Sequence, residues 1–234
     1  MFSIVIPTIN EEKNICLTIK RLLKIFKNII FEIIIIDDKS SDKTVSQVKK
    51  LKNKLNLKIT ILINNHPKGL GNALLLGYNL SQYNFVMFLD ADLSIKESDI
   101  YKLYKYRKKN SIIIGSRYIA KSKIIGVPKI KIYLSKLLNK FVSYIFDIPV
   151  ADISHSFRII SKKITLNSKN LTHPGFFWET TFDFKMKGFE IQEIPVTFID
   201  RRFGLSKNYS IKMLKSSIIS ILNILIYKKF YQAP

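Results

Sequence analysis

Two aspartates that directly follow an apolar segment are the residues best placed to do chemistry. Asp90 and Asp92 come after the run Phe-Val-Met-Phe-Leu at 85–89. Residues i and i+2 of an extended segment point to the same side, so both carboxylates can face one ligand. Two hard oxygen donors predict a site for Mg²⁺ or Mn²⁺ that also holds a diphosphate. The alternative is a pair of solvated loop acids, because Asp-x-Asp alone is a weak pattern.

A second acidic pair, Asp37 and Asp38, ends another apolar segment at 31–36. A carboxylate there can accept hydrogen bonds from the N–H groups of a nucleobase or from ribose hydroxyls. The competing interpretation is a loop whose next polar residue caps a helix. The candidates for that cap are Ser40, Ser41 and Asp42.

Arginine is scarce in this chain, whose basic residues are mostly lysine. Where composition favours lysine, an arginine indicates a need for bidentate bonding, for example to a phosphate. The alternative for each arginine is a surface salt bridge. The arginines of interest are Arg117, Arg158, Arg201 and Arg202.

The segment Lys68-Gly69-Leu70-Gly71 resembles part of a dinucleotide-binding loop. Leu74, however, stands where that fingerprint requires a small residue, and the fingerprint normally follows the first strand. We therefore favour a glycine-rich turn that allows close approach of the backbone. The chain also lacks a Gly-x-Ser-x-Gly motif, so nucleophilic hydrolase chemistry is not indicated.

Strands and helices that alternate at least three times must position these side chains. The strands are near-continuous apolar runs, which is typical of a parallel sheet covered on both faces. Ligands bind beyond the carboxyl ends of such strands, where both acidic pairs lie. We predict an α/β fold with a mostly parallel central sheet and helices on both faces. The predicted strands span 2–6, 31–36, 58–63 and 84–89, and the predicted helices span 11–26 and 69–80, with another around 44–48.

The pattern is less regular in the second half of the chain. The segments there are strands at 112–115 and 191–199 and helices at 129–146 and 211–227. Pro195 interrupts the later strand, which predicts a place at the edge of a sheet. With neither repeats nor a Gly/Ser linker, we expect a single domain over residues 1–234, ending in a basic amphipathic helical tail at 205–234.

Composition limits the possible classes of function. The chain has 234 residues, a formal net charge of +22 and 47% hydrophobic residues, which supports a folded core. Cys16 is the single cysteine, so an internal disulfide is excluded and a reducing compartment is indicated. The opening residues do not read as a signal peptide, and no apolar run reaches the roughly 20 residues of a membrane span. The charge fits a nucleic-acid-binding module, an anionic membrane or substrate, or compositional bias.

Taken in order, these fragments resemble the dolichyl- and polyprenyl-phosphate sugar synthases of glycosyltransferase family 2. Each fragment alone is weak, but the ordered set covers nearly the whole chain. The matching fragments are 6–11, 36–42, 68–71, 90–94, 115–118, 152–158, 193–196, 198–201 and 204–207. The resemblance implies a GT-A fold and a metal-dependent, inverting transfer of a hexose. The expected donor is GDP-mannose, ahead of other nucleotide sugars, and the expected acceptor is dolichyl or polyprenyl phosphate.

The resemblance also implies roles for individual residues. Those for binding the nucleotide sugar are Pro7, Ile9, Glu11, Asp38, Asp90, Ala91, Asp92, Ser94, Arg117, Arg201 and Lys207. Those for the metal, Mg²⁺ or Mn²⁺, are Asp90, Asp92 and Ser94. Those for the acceptor phosphate are Lys131 and Arg117, and the catalytic set is Asp92, Arg117 and Arg201. Glu179 is expected to position other groups rather than to act as a base.

Three residues depart from the family pattern. Ile9 replaces the usual Tyr and removes an aromatic contact to the nucleobase. Lys131 replaces an Arg, which keeps the charge but loses the fork geometry, and His155 stands where Gly is common. Donor identity is the expectation most affected. The alternative is another family 2 transferase, using UDP-glucose or a modified sugar with a polyprenyl-phosphate or hydroxyl acceptor.

A polyprenyl-phosphate acceptor must be met at a membrane surface. We expect peripheral association with the cytoplasmic side of a membrane, with a membrane-anchored partner subunit as a further possible contact. The helical segments 129–146 and 211–227 combine basic residues with apolar faces, as interfacial helices do. The alternative is that these faces pack against the sheet. Because the acidic motifs share one rim of the sheet, we do not expect nucleic acid as a partner.

Overall fold

The computed structural model shows an α/β sandwich. It describes residues 1–55, 58–65, 69–92, 94–162, 166, 175–200 and 218–226. The strands are β1 (Phe2–Thr8), β2 (Phe31–Asp37), β3 (Ile59–Ile63), β4 (Phe85–Phe88), β5 (Ser111–Ser116), β6 (Lys123–Ile125), β7 (Arg158–Ser161), β8 (Glu190–Pro195) and β9 (Thr197–Ile199). The helices are α1 (Ile15–Ile25), α2 (Thr44–Leu55), α3 (Leu70–Leu80), α4 (Glu97–Lys105), α5 (Lys129–Ile145) and α6 (Gly175–Met186). A further helical segment covers 218–226, within the predicted tail.

A seven-stranded sheet in the order β3-β2-β1-β4-β7-β5-β8 forms the centre of the molecule. Its pairs are parallel except at β7, which runs antiparallel to both β4 and β5. A second, two-stranded sheet joins β6 to β9. The predicted α/β class and mostly parallel sheet are confirmed. The sequence did not predict β7, because four residues that begin with an arginine carry too little periodicity.

Side chains that alternate along the strands build two hydrophobic cores, one on each face of the sheet. In β1, for example, Ile4 and Ile6 enter the first core and Val5 enters the second. Helices α1, α2 and α4 cover the first core, whereas α3, α5, α6 and the 218–226 helix cover the second. Strands buried on both faces read as unbroken apolar runs, which is why the sequence pattern revealed them.

The first strand and first helix differ from their predicted limits. β1 continues through Pro7 to Thr8, although the predicted strand ended at residue 6. The Val5 carbonyl accepts the N–H of Leu89, and the pairing of β1 with β4 ends at Val5. The backbone of Pro7 faces the same side of β1 as that of Val5. Because the β1–β4 pairing has already ended there, no hydrogen bond between strands needs the N–H that proline lacks. α1 begins at Ile15 rather than at 11, since the preceding loop bonds to the segment before α2.

In the C-terminal half, one predicted strand is divided in the structure and one helix was missed. The predicted strand 191–199 is two strands: β8 lies at the edge of the main sheet, as Pro195 indicated, but β9 belongs to the small sheet. Helix α6 was not predicted at all. Nearly all of its residues are buried, so it lacks the polar face from which amphipathic periodicity is recognised.

Helix α5 and the 218–226 helix expose apolar side chains and lie on the same face of the sheet. The exposed residues of α5 are Ile130, Tyr133, Leu134, Leu137, Leu138, Phe141 and Tyr144. Those of the 218–226 helix are Ile218, Ile219, Leu222, Leu225 and Ile226. In the part of the chain that the structure describes, every helix is too short or too polar to cross a membrane.

Candidate active site

The loop after β4, which carries the first acidic pair, is held from two sides. The Ser156 hydroxyl donates to Asp90 Oδ2 over 2.8 Å. From α1, the Thr18 hydroxyl donates to the carbonyl of Ala91, whose side chain is buried. The first contact orients the Asp90 carboxylate and the second holds the backbone at Ala91, so the site rests on rigid elements.

Asp92 and Ser94 form a hydrogen-bonded unit that suits a metal site. The N–H and the hydroxyl of Ser94 both donate to Asp92 Oδ1, over 3.1 and 2.5 Å. Ser94, expected as a metal ligand, thus also orients the Asp92 carboxylate. Within the described residues, no group of three or more His, Cys, Asp or Glu side chains could hold a metal alone. A hard pair of carboxylates fits Mg²⁺ or Mn²⁺ whose remaining positions are filled by phosphate and water.

Asp37 closes the turn after β2. Its carboxylate accepts the Thr8 hydroxyl over 3.0 Å and the N–H and hydroxyl of Ser40 over 2.8 and 2.6 Å. Asp42 Oδ1 accepts the N–H of Thr44, in the first turn of α2, over 2.9 Å. The capping interpretation is therefore correct for Asp42, while Ser40 serves the turn.

Asp38 is buried and connects β2 to the start of α3. Its Oδ1 accepts the side-chain amide of Asn64 over 2.6 Å, and its Oδ2 accepts the N–H of Gly69 over 2.9 Å. Of the glycine-rich segment, Gly69 is the N-cap of α3 and is bound by Asp38, Leu70 and Gly71 lie in the first turn of that helix, and Lys68 lies outside the described residues. A carboxylate oxygen has two lone pairs, so Asp38 retains capacity for a nucleobase N–H.

The segment after β1 lies beside these aspartates. Pro7 pairs with Ile36 in the β1–β2 register. The backbone N–H of Glu11 donates to the Thr44 hydroxyl over 2.8 Å. Pro7, Ile9 and Glu11 are all half-buried. The structure thus brings the residues predicted for the nucleoside to one edge, at the carboxyl ends of β1 and β2.

Arg117 follows β5 and forms a bidentate ion pair with Asp152. Nε and Nη2 donate to the two carboxylate oxygens over 2.8 Å each, and the backbone N–H of Arg117 donates over 2.9 Å. The Asp152 side chain is fully buried, whereas that of Arg117 is 18% exposed. The guanidinium has five N–H donors, of which Asp152 takes two. Arg117 is therefore held in place and still has donors for an anion.

The loop at 151–157, which precedes β7, connects the two candidate phosphate positions. Asp152 holds the arginine after β5, and Ser156 holds the first aspartate after β4. Between them, the His155 ring bonds through Nδ1 to the carbonyl of Gly115. Because β7 lies between β4 and β5 in the sheet, the two strand ends are not adjacent. The 151–157 loop joins them.

Arg158 does not reach the site, so neither predicted alternative is correct for it. Its side chain is fully buried. Nη1 donates to the Thr181 hydroxyl over 2.8 Å. Nε and Nη2 donate to the carbonyl of His155 over 3.0 and 2.6 Å, and Nη2 also donates to that of Ile153 over 2.9 Å. Arg158 therefore supports the 151–157 loop from within the core.

Burial and ion pairing determine the charges around this loop. Burial alone would raise the pKa of Asp152, but the charge and hydrogen bonds of Arg117 bring it below the usual value. Burial opposes the charge of Arg117, yet Asp152, together with Tyr118 and Asp90, raises its pKa. Burial and the nearby arginine lower the pKa of His155 to about 3, so this imidazole is neutral at physiological pH. Among the described residues at this edge of the sheet, Arg117 is therefore a stable cation near Asp90.

Other predicted residues lie elsewhere in the fold. Lys131 is exposed in the first turn of α5. Glu179 is buried in α6 and accepts hydrogen bonds from Ser220 and Asn223 over 3.2 and 3.4 Å, so it docks the 218–226 helix. The predicted residues that fall outside the described part of the chain are Arg201, Arg202 and Lys207.

Sequence reasoning missed the side chains that hold the site residues in place. These supporting residues are Thr18, Asn64, Ser156 and Glu193. Ser156 and Glu193 fall within the fragments that carried the family resemblance, which was the signal available for them. Thr18 and Asn64 had no such signal, because each acts through a contact distant in sequence.

A mostly parallel sheet with polar side chains gathered at the carboxyl ends of its strands is the arrangement of α/β proteins that bind ligands there. The sequence profile described as glycosyl transferase family 2 matches residues 3–167. The chain belongs to glycosyl transferase family 2.

Two curated relatives match most of the chain. The polyprenol monophosphomannose synthase of Mycolicibacterium smegmatis is 26% identical over 212 residues, which cover 87% of this chain and 79% of that protein. The dolichol-phosphate mannosyltransferase of Pyrococcus furiosus is 28% identical over 211 residues, which cover 88% of this chain and 58% of that protein. The chain thus spans little more than half the length of the second relative.

Solved structures share the architecture. The glucosyl-3-phosphoglycerate synthase of Mycobacterium tuberculosis, in complex with Mn²⁺, UDP and phosphoglyceric acid, has a TM-score of 0.66 at 15% identity. The match covers 100% of this chain and 79% of that chain. Another structure of that synthase contains Mg²⁺ and UDP. The predicted GT-A-like fold is confirmed.

Proposed function

We propose that this glycosyltransferase moves a hexose onto dolichyl or polyprenyl phosphate with inversion at the anomeric carbon. The sugar that we propose ahead of others is mannose, with GDP-mannose as donor. One observation carries the proposal: the 151–157 loop holds Asp90 and Arg117 together at one rim. Such a rim suits the meeting of a donor diphosphate and an acceptor phosphate. The likeness to two mannose synthases supports this choice of sugar and acceptor.

The chemistry makes modest demands on proton transfer. A phosphate monoester is already ionised near neutral pH, so its oxygen can attack the anomeric carbon without a strong base. The new bond joins that oxygen to the anomeric carbon, and the bond to the diphosphate oxygen breaks, with the electron pair leaving on the nucleoside diphosphate. The main task is to hold two anions in line and to offset their repulsion.

On the donor side, Pro7, Ile9, Glu11 and Asp38 would receive the nucleoside. Ala91, held by α1, would lie against the diphosphate. Asp90 and Asp92 would hold Mg²⁺ or Mn²⁺, with Ser94 as orienting group or ligand. The bound ion would supply electrostatic stabilisation of the diphosphate leaving group. Arg201 and Lys207 are proposed as further cations for this group.

On the acceptor side, Arg117 and Lys131 would bind the lipid phosphate. Arg117 offers a guanidinium whose orientation is set by Asp152. Lys131 lies on α5, the same helix that exposes a row of apolar side chains. A phosphate and its hydrocarbon chain could therefore meet one helix together.

Peripheral binding to the cytoplasmic side of a membrane would bring the enzyme to this acceptor. In α5, exposed apolar residues alternate with lysines and there is no acidic residue. Such a helix suits an anionic lipid interface. Co-sedimentation with anionic vesicles should fall for Leu134→Gln/Leu137→Gln and stay unchanged for Leu55→Gln, another exposed leucine. Binding that appears only with a membrane-anchored partner subunit would contradict direct lipid contact.

A donor screen tests the proposed reaction. Radiolabelled GDP-mannose, UDP-glucose and other nucleotide sugars are incubated with polyprenyl phosphate and Mg²⁺ or Mn²⁺. We expect labelled lipid from GDP-mannose. No labelled lipid from any donor would overturn the proposal.

The second candidate is transfer from a UDP-sugar. Ile9, which offers no aromatic contact to a base, and the UDP bound in a structurally similar enzyme favour it. Labelled lipid from UDP-glucose alone would establish this alternative.

The Asp92→Asn variant tests the metal site. Metal-dependent transfer should fall at least 100-fold, because a neutral amide is a poor ligand for a hard cation. Asp147→Asn is the matched control, since the Asp147 side chain is 85% exposed and forms a surface ion pair with Lys185. Full activity in Asp92→Asn would exclude this aspartate from the metal site.

A further inference from the structure

Glu193 lies on the edge strand β8, and its carboxylate reaches the 151–157 loop. Oε2 accepts the backbone N–H of Ala151 over 2.8 Å, and Oε1 accepts that of Asp152 over 2.9 Å. Burial raises the pKa of Glu193, while these N–H groups and the Ser116 hydroxyl oppose the rise. One carboxylate thus holds two consecutive peptide groups that are more than 40 residues away in sequence.

The register of the sheet explains why a side chain of β8 is available here. Glu193 pairs with Ile114 of β5, and Arg117 follows β5. Arg117 is therefore connected to this strand pair by two routes. One is the chain itself, and the other runs from Glu193 through the 151–152 backbone to Asp152.

The second route requires a carboxylate with two acceptor oxygens. The pair between Asp152 and Arg117 uses both carboxylate oxygens, so it is sensitive to the orientation of the Asp152 backbone. Two N–H groups directed at one carboxylate fix that orientation. A neutral amide at position 193 would accept one N–H and present its own N–H to the other.

We propose that Glu193 is a positioning residue for Arg117. By holding the N–H groups of Ala151 and Asp152, it sets the Asp152 carboxylate and, through it, the guanidinium that meets a substrate phosphate. Glu193 itself touches no substrate. The inference rests on the proposed role of Arg117 in binding a phosphate, and it adds a residue that positions Arg117 without contacting the substrate.

Glu193→Gln is the principal test, with Glu190→Gln as matched control. Glu190 lies on the same strand but is exposed and bonds to Lys108. Loss of a supporting residue of this kind costs roughly 10- to 100-fold in activity. We expect that loss in kcat for Glu193→Gln, with little change in KM for the nucleotide sugar and none in either constant for Glu190→Gln.

A second measurement needs no substrate and separates this inference from the proposed function. In the wild type, Arg117 Nε–H donates to buried Asp152, so its hydrogen exchange, followed by NMR, should be slow. We expect faster exchange in Glu193→Gln and wild-type exchange in Glu190→Gln. If the wild type transfers no sugar to polyprenyl phosphate, the exchange result alone decides the positioning role.

Unchanged Arg117 exchange in Glu193→Gln would overturn the proposal, as would unchanged kcat in an active enzyme. If Glu193→Gln does not fold, Glu193→Asp replaces it. Aspartate keeps the charge but is one methylene shorter and cannot reach both N–H groups. The same acceleration of Arg117 exchange is then expected, and its absence would count against the inference.

Discussion

Arg117 and Arg158 lie at the ends of neighbouring strands but have opposite environments. Arg117 follows β5, keeps 18% of its side chain exposed and is paired with a buried carboxylate. Arg158 begins β7, is fully buried and donates to two carbonyls and a hydroxyl, all of them neutral. Burial lowers the pKa of Arg158 to about 9, whereas the pKa of Arg117 is raised because Asp152 outweighs burial.

The difference shows how one residue type serves two purposes. A charged partner with a fixed geometry leaves an arginine oriented and cationic at the rim, where it can meet an anion. In Arg158 the guanidinium instead donates four hydrogen bonds to neutral groups, three of them to backbone carbonyls that would otherwise lack a donor. Arg117 is accordingly expected to affect turnover, and Arg158 to affect folding.

The largest effect should come from Arg158→Met. This substitution leaves the carbonyls of Ile153 and His155 without their donor, which we expect to cost roughly 3–5 kcal/mol of unfolding free energy. The melting temperature should fall by roughly 10 °C. Thermal and guanidinium denaturation measure this change in stability. A melting temperature equal to that of the wild type would show that Arg158 does not stabilise the fold.

Arg117 is tested by a double-mutant cycle with Asp152. Arg117→Met alone should reduce transfer about 100- to 1000-fold, and it should also destabilise the fold, because it leaves the Asp152 charge buried without a partner. Adding Asp152→Asn removes that charge, so stability should recover by about 2 kcal/mol while transfer stays low. Denaturation and lipid-transfer assays separate the two effects. Recovery of transfer in the double variant would mean that Arg117 acts only through the fold.

The neutral His155 between the two arginines should make stability depend on pH. Its pKa is lowered to about 3 in the folded state, so only the unfolded chain takes up the proton as the pH falls below the usual value of 6.5. Stability contributed by neutral His155 is therefore present above about pH 6.5 and is lost towards pH 3, by about 1 kcal/mol per pH unit. Denaturation between pH 6.5 and 4 should show a flatter slope for His155→Gln. Equal slopes would show that His155 titrates normally in the folded protein.

The smallest effect is expected for Ser156→Ala, which tests the other arm of the 151–157 loop. The variant loses one hydrogen bond to Asp90, worth about 1 kcal/mol, so kcat should fall roughly 5-fold and more metal should be needed. Ser46→Ala is the control, since Ser46 is exposed and bonds only locally among the described residues. Titration of activity with Mn²⁺ compares the two. Identical metal dependence would show that Ser156 does not orient Asp90.

Much of the structure of the N-terminal half could be predicted from the sequence. Strands β1 to β4 are apolar on both faces, and the polar residues that follow them are local markers of the strand ends. Asp37, Asp38, Asp90 and Asp92 could therefore be placed at one rim. The C-terminal half was less accessible, because α6 is buried nearly all round and β7 is short and begins with an arginine.

Residue types and short-range periodicity were enough to predict the fold class, the family resemblance and the acidic residues at the strand ends. Which arginine faces those residues depends on long-range contacts that no local pattern reveals. The tertiary structure inserts an antiparallel β7 between β4 and β5, which places the 151–157 loop across their ends. As a result, Asp152 contacts Arg117, which is 35 residues away in sequence. Glu193 contacts the backbone N–H of Asp152, which is 41 residues away. Such contacts follow from chain topology, because whether an arginine binds phosphate or supports a loop depends on the partners that the fold brings to it.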